Sequence, residues 1–262
     1  MGRADLHIHS LASDGISSVQ EILDAAEVAG LDVISITDHE RIDGAVAAQR
    51  MAEQQGRRVS VIVGEEISTR GGHLVALFLR ERIRPWQSLR TSVAKVHEQG
   101  GIAIVAHPLV PYPLCASGRS ILKLLGESDA RFHPDAIEAF NPTTAGMRWT
   151  RRVPAFVAET GRAAIGSSDA HRAADVGQAV TLFAGTTPDE LRAAIEAAAT
   201  DWEGSFYPWR SQFTMFRHQM GKNVKALRDE VRGKLRRDGT GRDLGYPGGR
   251  LRPPRFDERE AG

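Results

Sequence analysis

The chain has 262 residues, enough for one large core or a core with an appendage. Hydrophobic residues make up 41% and charged residues 26%, an ordinary balance for a soluble globular protein, and a formal net charge of +1 gives no overall electrostatic reason to expect nucleic acid or a membrane as partner. Cys115 is the only cysteine, which excludes an intrachain disulfide and a thiolate zinc cluster; no apolar run approaches the ~20 residues that span a bilayer and no apolar targeting region opens the chain, so a cytoplasmic location is expected.

Strand-like and helix-like stretches alternate as far as about Trp202. A strand is predicted over 4–9, then a helix over 19–29 that Gly30 can end in the left-handed conformation. Residues 31–37 form a second strand, rich in β-branched residues, followed by a helix over 42–55 and a strand over 59–63. The apolar stretch 73–79 is a further strand, and a helix over 88–99, closed by Gly100-Gly101, leads to another at 102–106. Three prolines and Tyr112 make 108–117 a loop over one end of the sheet. Then come a short helix at 121–125, a strand at 136–140, a helix at 153–160 and strands at 163–166 and 176–183. Thr187-Pro188-Asp189-Glu190 is a capping box with proline at the first helical position, opening a helix that runs to about Ala199.

Strands alternating with helices imply parallel pairing, because each return crossing is a helix. The fold class expected is α/β, a barrel of about seven strands, with chemistry at the C-terminal strand ends. An open doubly wound sheet fits less well: His7-Ile8-His9, and no glycine-rich phosphate loop, follows the first strand.

Past the barrel, expected over 1–202, the composition changes. Residues 204–262 hold fourteen Lys/Arg against seven Asp/Glu, which leaves the preceding 203 residues with six acids in excess. A basic helical appendage is expected over 203–237, its helix at 220–237, and a disordered Gly/Pro/Arg tail over 238–262.

Five short stretches sit at or just after the ends of apolar runs: His7-Ile8-His9, Thr37-Asp38-His39, Gly64-Glu65-Glu66, Ala106-His107-Pro108 and Ser168-Asp169-Ala170-His171. His7 and His9, two apart on a strand, project to the same side. Asp14 lies on the loop leaving that strand, and Gly71-Gly72 would let the backbone bring His73 close. Six of the nine histidines and three acids (Asp14, Glu66, Asp169) thus occupy strand ends. Imidazole and carboxylate gathered at one end of a barrel are what a cluster of divalent ions requires, so a metal-dependent hydrolase is expected. Arg119 and Arg148 follow loops near the strand ends and could fork onto a substrate phosphate, while Asn141 faces the same mouth and could bond substrate or order a ligand.

In that order (His-x-His, Asp-Gly, Thr-Asp-His, Gly-x-Glu, Gly-His, Ala-His-Pro, Ser-Asp-x-His) the motifs resemble the PHP family, the polymerase and histidinol phosphatase domain, over residues 3–202. The resemblance implies a distorted seven-stranded (β/α) TIM-like barrel and two or three divalent ions, commonly manganese, iron or zinc. It implies that His7, His9, Glu66 and Asp169 hold the first ion, that Glu66, His73 and His107 hold the second, and that Asp14, His39 and His171 hold the third. Glu66 is then the ligand of its motif and Glu65 its outward-facing neighbour.

The activity implied is hydrolysis of a phosphate ester by a metal-activated hydroxide, with His39 or Asp38 donating the leaving-group proton. The expected substrate is a small phosphorylated molecule, foremost a nucleotide such as a nucleoside 3′,5′-bisphosphate. Histidinol phosphate, 3′–5′ removal of nucleotides from a short oligonucleotide, and a non-catalytic accessory module are the alternatives. No membrane and no obligate protein partner are expected.

Overall fold

The computed structural model describes residues 1–143 and 147–207, which fall within one compact unit, residues 1–215. The appendage helix at 220–237 and the tail at 238–262 lie outside the described residues.

The strands are β1 (Gly2–Ile8), β2 (Val33–Ile36), β3 (Ser60–Thr69), β4 (Gly72–Leu77), β5 (Ile102–Val105), β6 (Ala136–Phe140), β7 (Ala163–Gly166), β8 (Ala179–Phe183) and β9 (Asp201–Gly204). The helices are α1 (Val19–Val28), α2 (Asp43–Gln54), α3 (Leu89–Glu98), α4 (Gly118–Leu125), α5 (Met147–Thr150), α6 (Val153–Thr160) and α7 (Pro188–Glu196). The strands run β7-β6-β5-β4-β3-β2-β1-β8-β9 in one sheet. It curls into a nearly closed barrel: the Thr181 hydroxyl on β8 donates to the Gly166 carbonyl on β7, 2.9 Å away. This is the expected α/β barrel, with helices on its outside.

Side chains from β1 through β8 meet in a single apolar cluster with Leu191, Ala194 and Ile195 of α7. Only the concave face of a curved sheet can bring so many strands together. Its members from the parallel strands, such as Ala4, Val33, Ile62, Ile102, Ala136 and Ala163, sit toward the strands' N-terminal ends, so α7 seals that end of the barrel. The Thr187 capping box and Pro188 start α7 as the sequence implies. A second cluster packs α1, α2 and α3 against the outer face through Ile22, Leu23, Ala26, Ala45, Ala48, Val93 and Val96.

Pairing departs from the expected all-parallel pattern. β1, β2 and β3 are parallel, as are β5, β6 and β7, but β4 is antiparallel to both neighbours, and β8 and β9 are antiparallel additions. The reason is loop length. Only Arg70 and Gly71 separate β3 from β4, and a parallel return needs a crossover of roughly a dozen residues. β3 also runs six residues past the expected Val63, so Glu65 and Glu66 lie within a strand rather than after one.

The barrel likewise extends beyond 202. β9 pairs with β8, Trp202 stacks on Phe140 with ring centroids 4.9 Å apart, and the Tyr207 hydroxyl donates to the Ser168 carbonyl at 2.5 Å. Residues 203–207 therefore belong to the barrel and not to the appendage.

His97, in the last turn of α3, ties that helix to the start of β6. Its Nδ1 lies 2.8 Å from the Arg131 carbonyl and its Nε2 2.9 Å from Asp135 Oδ2. Two acceptors require both ring nitrogens to carry protons, and the bond to Asp135, opposed by burial, holds the His97 pKa above its ordinary value. A raised histidine stabilises the fold fully below its unfolded pKa, ~6.5, and that contribution is lost as pH rises through the folded value. We expect wild type to exceed His97→Gln by about 1 kcal/mol at pH ~6 in urea denaturation, with the gap narrowing above pH ~7.

Candidate metal centre

The C-terminal strand ends lie opposite α7, and there the predicted residues converge. Glu66, on β3, is the hub. Its Oε2 is 3.3 Å from His7 Nε2, 3.3 Å from His9 Nε2 and 3.1 Å from His39 Nδ1, while Oε1 is 2.7 Å from His73 Nδ1 and 3.2 Å from His107 Nε2. Asp169 Oδ1 lies 3.3 Å from His9 Nε2 and 3.6 Å from His7 Nε2. Asp14 reaches His171 Nε2 at 3.0 Å and His9 Nδ1 at 3.3 Å.

Three groups of ligand atoms lie within 4.8 Å of one another: His7, His9 and Glu66; His9, Asp14 and His171; His39, Glu66 and His73. His39 thus sits with Glu66 and His73, its Nε2 3.8 Å from Asp14, whereas the resemblance grouped it with Asp14 and His171. His9 takes the place beside those two.

Burial alone would push His7 down, but Asp169, Glu66 and Glu138 together raise it to about 10. His9 and His107 are likewise raised against burial, His9 by Asp14, Asp169 and Glu66, and His107 by Cys115 and Glu66. The imidazoles hold Glu66, Asp14 and Asp169 far below the carboxylate range despite burial. His39 is lowered, chiefly by burial.

A divalent metal fits these residues. Among the described residues, His7 Nε2 and both ring nitrogens of His9 are buried and make no hydrogen bond, although carboxylate oxygens surround them. Buried polar atoms without partners are uncommon, and nitrogen lone pairs converging with carboxylate oxygens suit an ion that binds both.

The backbone bends where it delivers these groups. His107 (φ 26°), Asp169 (φ 52°) and Glu40 beside His39 (φ 59°) occupy the left-handed region. Gly72 (φ 123°) admits the loop that follows His107, since a Cβ there would lie 2.5 Å from the Ala116 nitrogen, and His73 N donates to the Leu114 carbonyl at 2.7 Å.

Other predicted residues have different places. Asp38 is buried, and its carboxylate accepts the Ser10 N–H at 2.7 Å and the Ser10 and Ser13 hydroxyls at 2.6 Å each. It anchors the loop that carries Asp14. Glu65 faces away from the centre, yet it is buried rather than outward. Its Oε2 accepts the Ile83 N–H at 2.8 Å, and burial pushes its pKa up to about 7. Asn141 donates to Asp169 Oδ2 at 3.2 Å and to Glu138 Oε2 at 3.1 Å, so it steadies a candidate ligand. Arg119 on α4 and Arg148 on α5 are exposed and bond to none of the histidines among the described residues.

Sequence reasoning missed Glu138. This buried carboxylate lies 3.1 Å from His7 Nδ1 and accepts the His107 N–H at 2.6 Å, so it turns one ring and fixes the backbone of another. A lone acid inside the apolar strand Ala136–Phe140 was the signal that could have found it. Asp5 was missed too: it accepts the Ser168 and Gly177 N–H groups at 3.0 and 2.8 Å, and burial pushes it up to about 6. Cys115 Sγ lies 3.3 Å from His107 Nδ1.

An α/β barrel with imidazoles and carboxylates clustered at its C-terminal strand ends defines a metal-dependent hydrolase. Residues 5–133 match the PHP domain model and 148–200 the PHP-associated model. An uncharacterized protein of Methanocaldococcus jannaschii is 35% identical over 150 residues, 53% of this chain and 81% of that one. A 5′-3′ exoribonuclease of Haemophilus influenzae is 42% identical over 77 residues, 28% of this chain and 27% of the relative. Among solved structures, a two-domain Bacteroides vulgatus protein containing a predicted PHP-like metal-dependent phosphoesterase superposes with a TM-score of 0.59 at 20% identity. The match covers 78% of this chain and 64% of that one. The chain belongs to the PHP family, and its class is metal-dependent phosphoesterase.

Manganese affinity, measured by titration calorimetry, should fall about 10- to 100-fold in Glu138→Ala. Glu66→Gln should abolish it, and Glu65→Gln should leave it within about twofold. Equal losses at Glu65 and Glu66 would contradict the inward assignment of Glu66.

Proposed function

We propose that the centre hydrolyses phosphate esters of nucleotides, with a nucleoside 3′,5′-bisphosphate as the representative substrate. The observation that carries the reading is the set of buried nitrogens on His7 and His9 that crowd the Glu66 carboxylate without a hydrogen bond among the described residues. His7, His9, Glu66 and Asp169 would hold one ion, with His39, His73, His107, Asp14 and His171 completing two or three sites. Manganese, iron or zinc would suit these nitrogen and oxygen ligands. Divalent ions there supply the Lewis acidity that offsets charge on the phosphoryl oxygens and makes water a competent nucleophile near neutral pH.

The remaining work falls to the chain's own groups. Glu138, Asn141 and Cys115 hold His7, Asp169 and His107 in orientation before substrate arrives. His39, with 28% of its side chain exposed and its pKa lowered chiefly by burial, is a neutral ring at the mouth, the form a metal ligand requires, so the departing oxygen would take its proton from water. Arg119 and Arg148, exposed and without an ion pair among the described residues, are free to meet a second phosphate of the substrate.

Removal of nucleotides from a short oligonucleotide is the second reading, favoured by the match to the exoribonuclease. The match spans about a quarter of that relative.

Manganese-reconstituted protein should be assayed in parallel on a nucleoside 3′,5′-bisphosphate, histidinol phosphate, a cyclic phosphodiester and a short oligonucleotide. Phosphate release or chain shortening should be seen with the nucleotide substrates, be lost on chelation, and fall by roughly 10²-fold or more in His9→Ala and Asp169→Ala. Undiminished turnover by both variants would overturn the reading.

A further inference from the structure

Between β4 and α3 the chain reads Arg80-Glu81-Arg82-Ile83-Arg84-Pro85-Trp86-Gln87, and the centre described above uses none of it. The basic character is unexpected in a barrel whose sequence has acids in excess. Arg82, Arg84 and Trp86 are exposed, Trp86 by 60%, and Arg70 from the β3–β4 turn joins them in lining a surface cavity of ≈ 510 Å³. A second cavity of ≈ 570 Å³ shares Arg82, Arg84 and Gln87 with it as lining.

The segment is pinned at three points. Ile83 N donates to the buried Glu65 carboxylate at 2.8 Å, Trp86 N to the Ser68 carbonyl at 2.7 Å, and Arg70 N to the Gln87 carbonyl at 2.9 Å. Ile83 is buried, so Arg82 and Arg84 are held on either side of an anchor. Trp86 adopts φ 61°, a costly conformation for an aromatic residue that leaves its indole in solvent.

Two further bonds link this surface to residues beside the metal centre. The Arg82 guanidinium donates to the carbonyl of Glu40, next to His39, at 3.4 Å. Ser68, whose carbonyl holds Trp86 N, has its Oγ 3.3 Å from His73 Nε2. Among the described residues, Arg70, Arg82 and Arg84 form no ion pair, whereas Arg41, Arg57, Arg90 and Arg172 all do. Glu81 is the one acid in the segment and forms no ion pair among the described residues.

We propose that Arg70, Arg82, Arg84 and Trp86 form a binding surface for single-stranded oligonucleotide, taking the stretch of chain beyond the nucleotide at the metal centre. Guanidinium groups spaced around an exposed aromatic are the two elements single-strand binding needs: cations that track phosphates and a face on which any base stacks. An acidic peptide or a free phosphate would use the arginines and have no use for the indole. The inference rests on the phosphoesterase reading for its orientation toward the centre, but binding can be measured separately from cleavage.

The probe is a fluorescein-labelled single-stranded RNA of about eight nucleotides with phosphorothioate linkages, followed by anisotropy with the full, manganese-loaded chain. Wild type should bind it at least about tenfold more tightly than a mononucleotide competitor, with affinity falling as salt rises. Arg82→Ala/Arg84→Ala should weaken binding about tenfold or more and reduce the log–log salt slope by ~0.7 for each phosphate no longer neutralised. Trp86→Ala should weaken binding with the slope unchanged, and Trp86→Phe should restore most of it. Circular dichroism and thermal midpoints confirm that the variants are folded. Equal affinity for octamer and mononucleotide, or folded variants that bind like wild type, would overturn the proposal; the latter result would place binding elsewhere, as on the basic segment after 207. Loop-dependent binding without hydrolysis of any ester would sustain the surface and refute the phosphoesterase reading. Hydrolysis indifferent to the loop variants, with binding also unchanged, would do the reverse.

Discussion

Burying the Glu66 carboxylate is the constraint around which the rest of the molecule is arranged. A carboxylate removed from water is costly unless positive charge or donors surround it, and here five imidazoles do so from five positions in the chain. β3 is the strand that makes this possible. It is the longest of the described strands and carries Glu66 past the ends of β1 and β2, to where His7, His9 and His39 emerge. β4 turns back against it and delivers His73 directly opposite Ser68. A cluster so rich in ring nitrogens, several without hydrogen-bond partners among the described residues, suits cations better than further protein donors.

Holding the cluster is largely the work of residues that do not join it. Glu138 links β1 to β5 by touching the His7 ring and the His107 backbone; Asp5 fastens the segment before Asp169 to that before β8; Asp38 secures the loop of Asp14. Each is a buried acid whose oxygens bond N–H or O–H groups near a candidate ligand. The strain at His107 and Asp169 belongs to the same scheme. A strand end forced into the left-handed region turns its side chain toward the axis, and the surrounding hydrogen bonds resist its relaxation. At the opposite end, α7 fills the barrel with apolar side chains, so chemistry and packing occupy separate ends of one interior.

Much of this was legible in the residues themselves. Apolar runs ending in His-x-His, Asp-His or Asp-x-His mark strands and ligands together, because a strand puts alternate residues on one face and a barrel puts strand ends on one rim. The Thr187 capping box located α7 for a similarly local reason. What stayed hidden depends on how distant segments meet. The antiparallel turn of β4 follows from a two-residue link but alters the topology of the whole sheet. β9 is exposed along most of its length and lacks the apolar signature of a strand. Asp38 stands beside His39 in the chain, yet its carboxylate turns to Ser10 and Ser13 on another loop, a contact that neighbouring positions in sequence do not reveal. His39 lies within reach of both Glu66 and Asp14, because a half-buried ring beyond a strand end can face either neighbour, and that double proximity depends on how β1, β2 and β3 meet rather than on the motif.

The central claim is that cations, and not protons alone, complete the charge around Glu66. Diffraction from manganese-soaked crystals on either side of the manganese absorption edge tests it most directly. Anomalous peaks are predicted at bonding distance from Glu66 and His9, with at least one shared by His7. Peaks confined to the protein surface, or none at saturating manganese with the cluster unchanged, would contradict it.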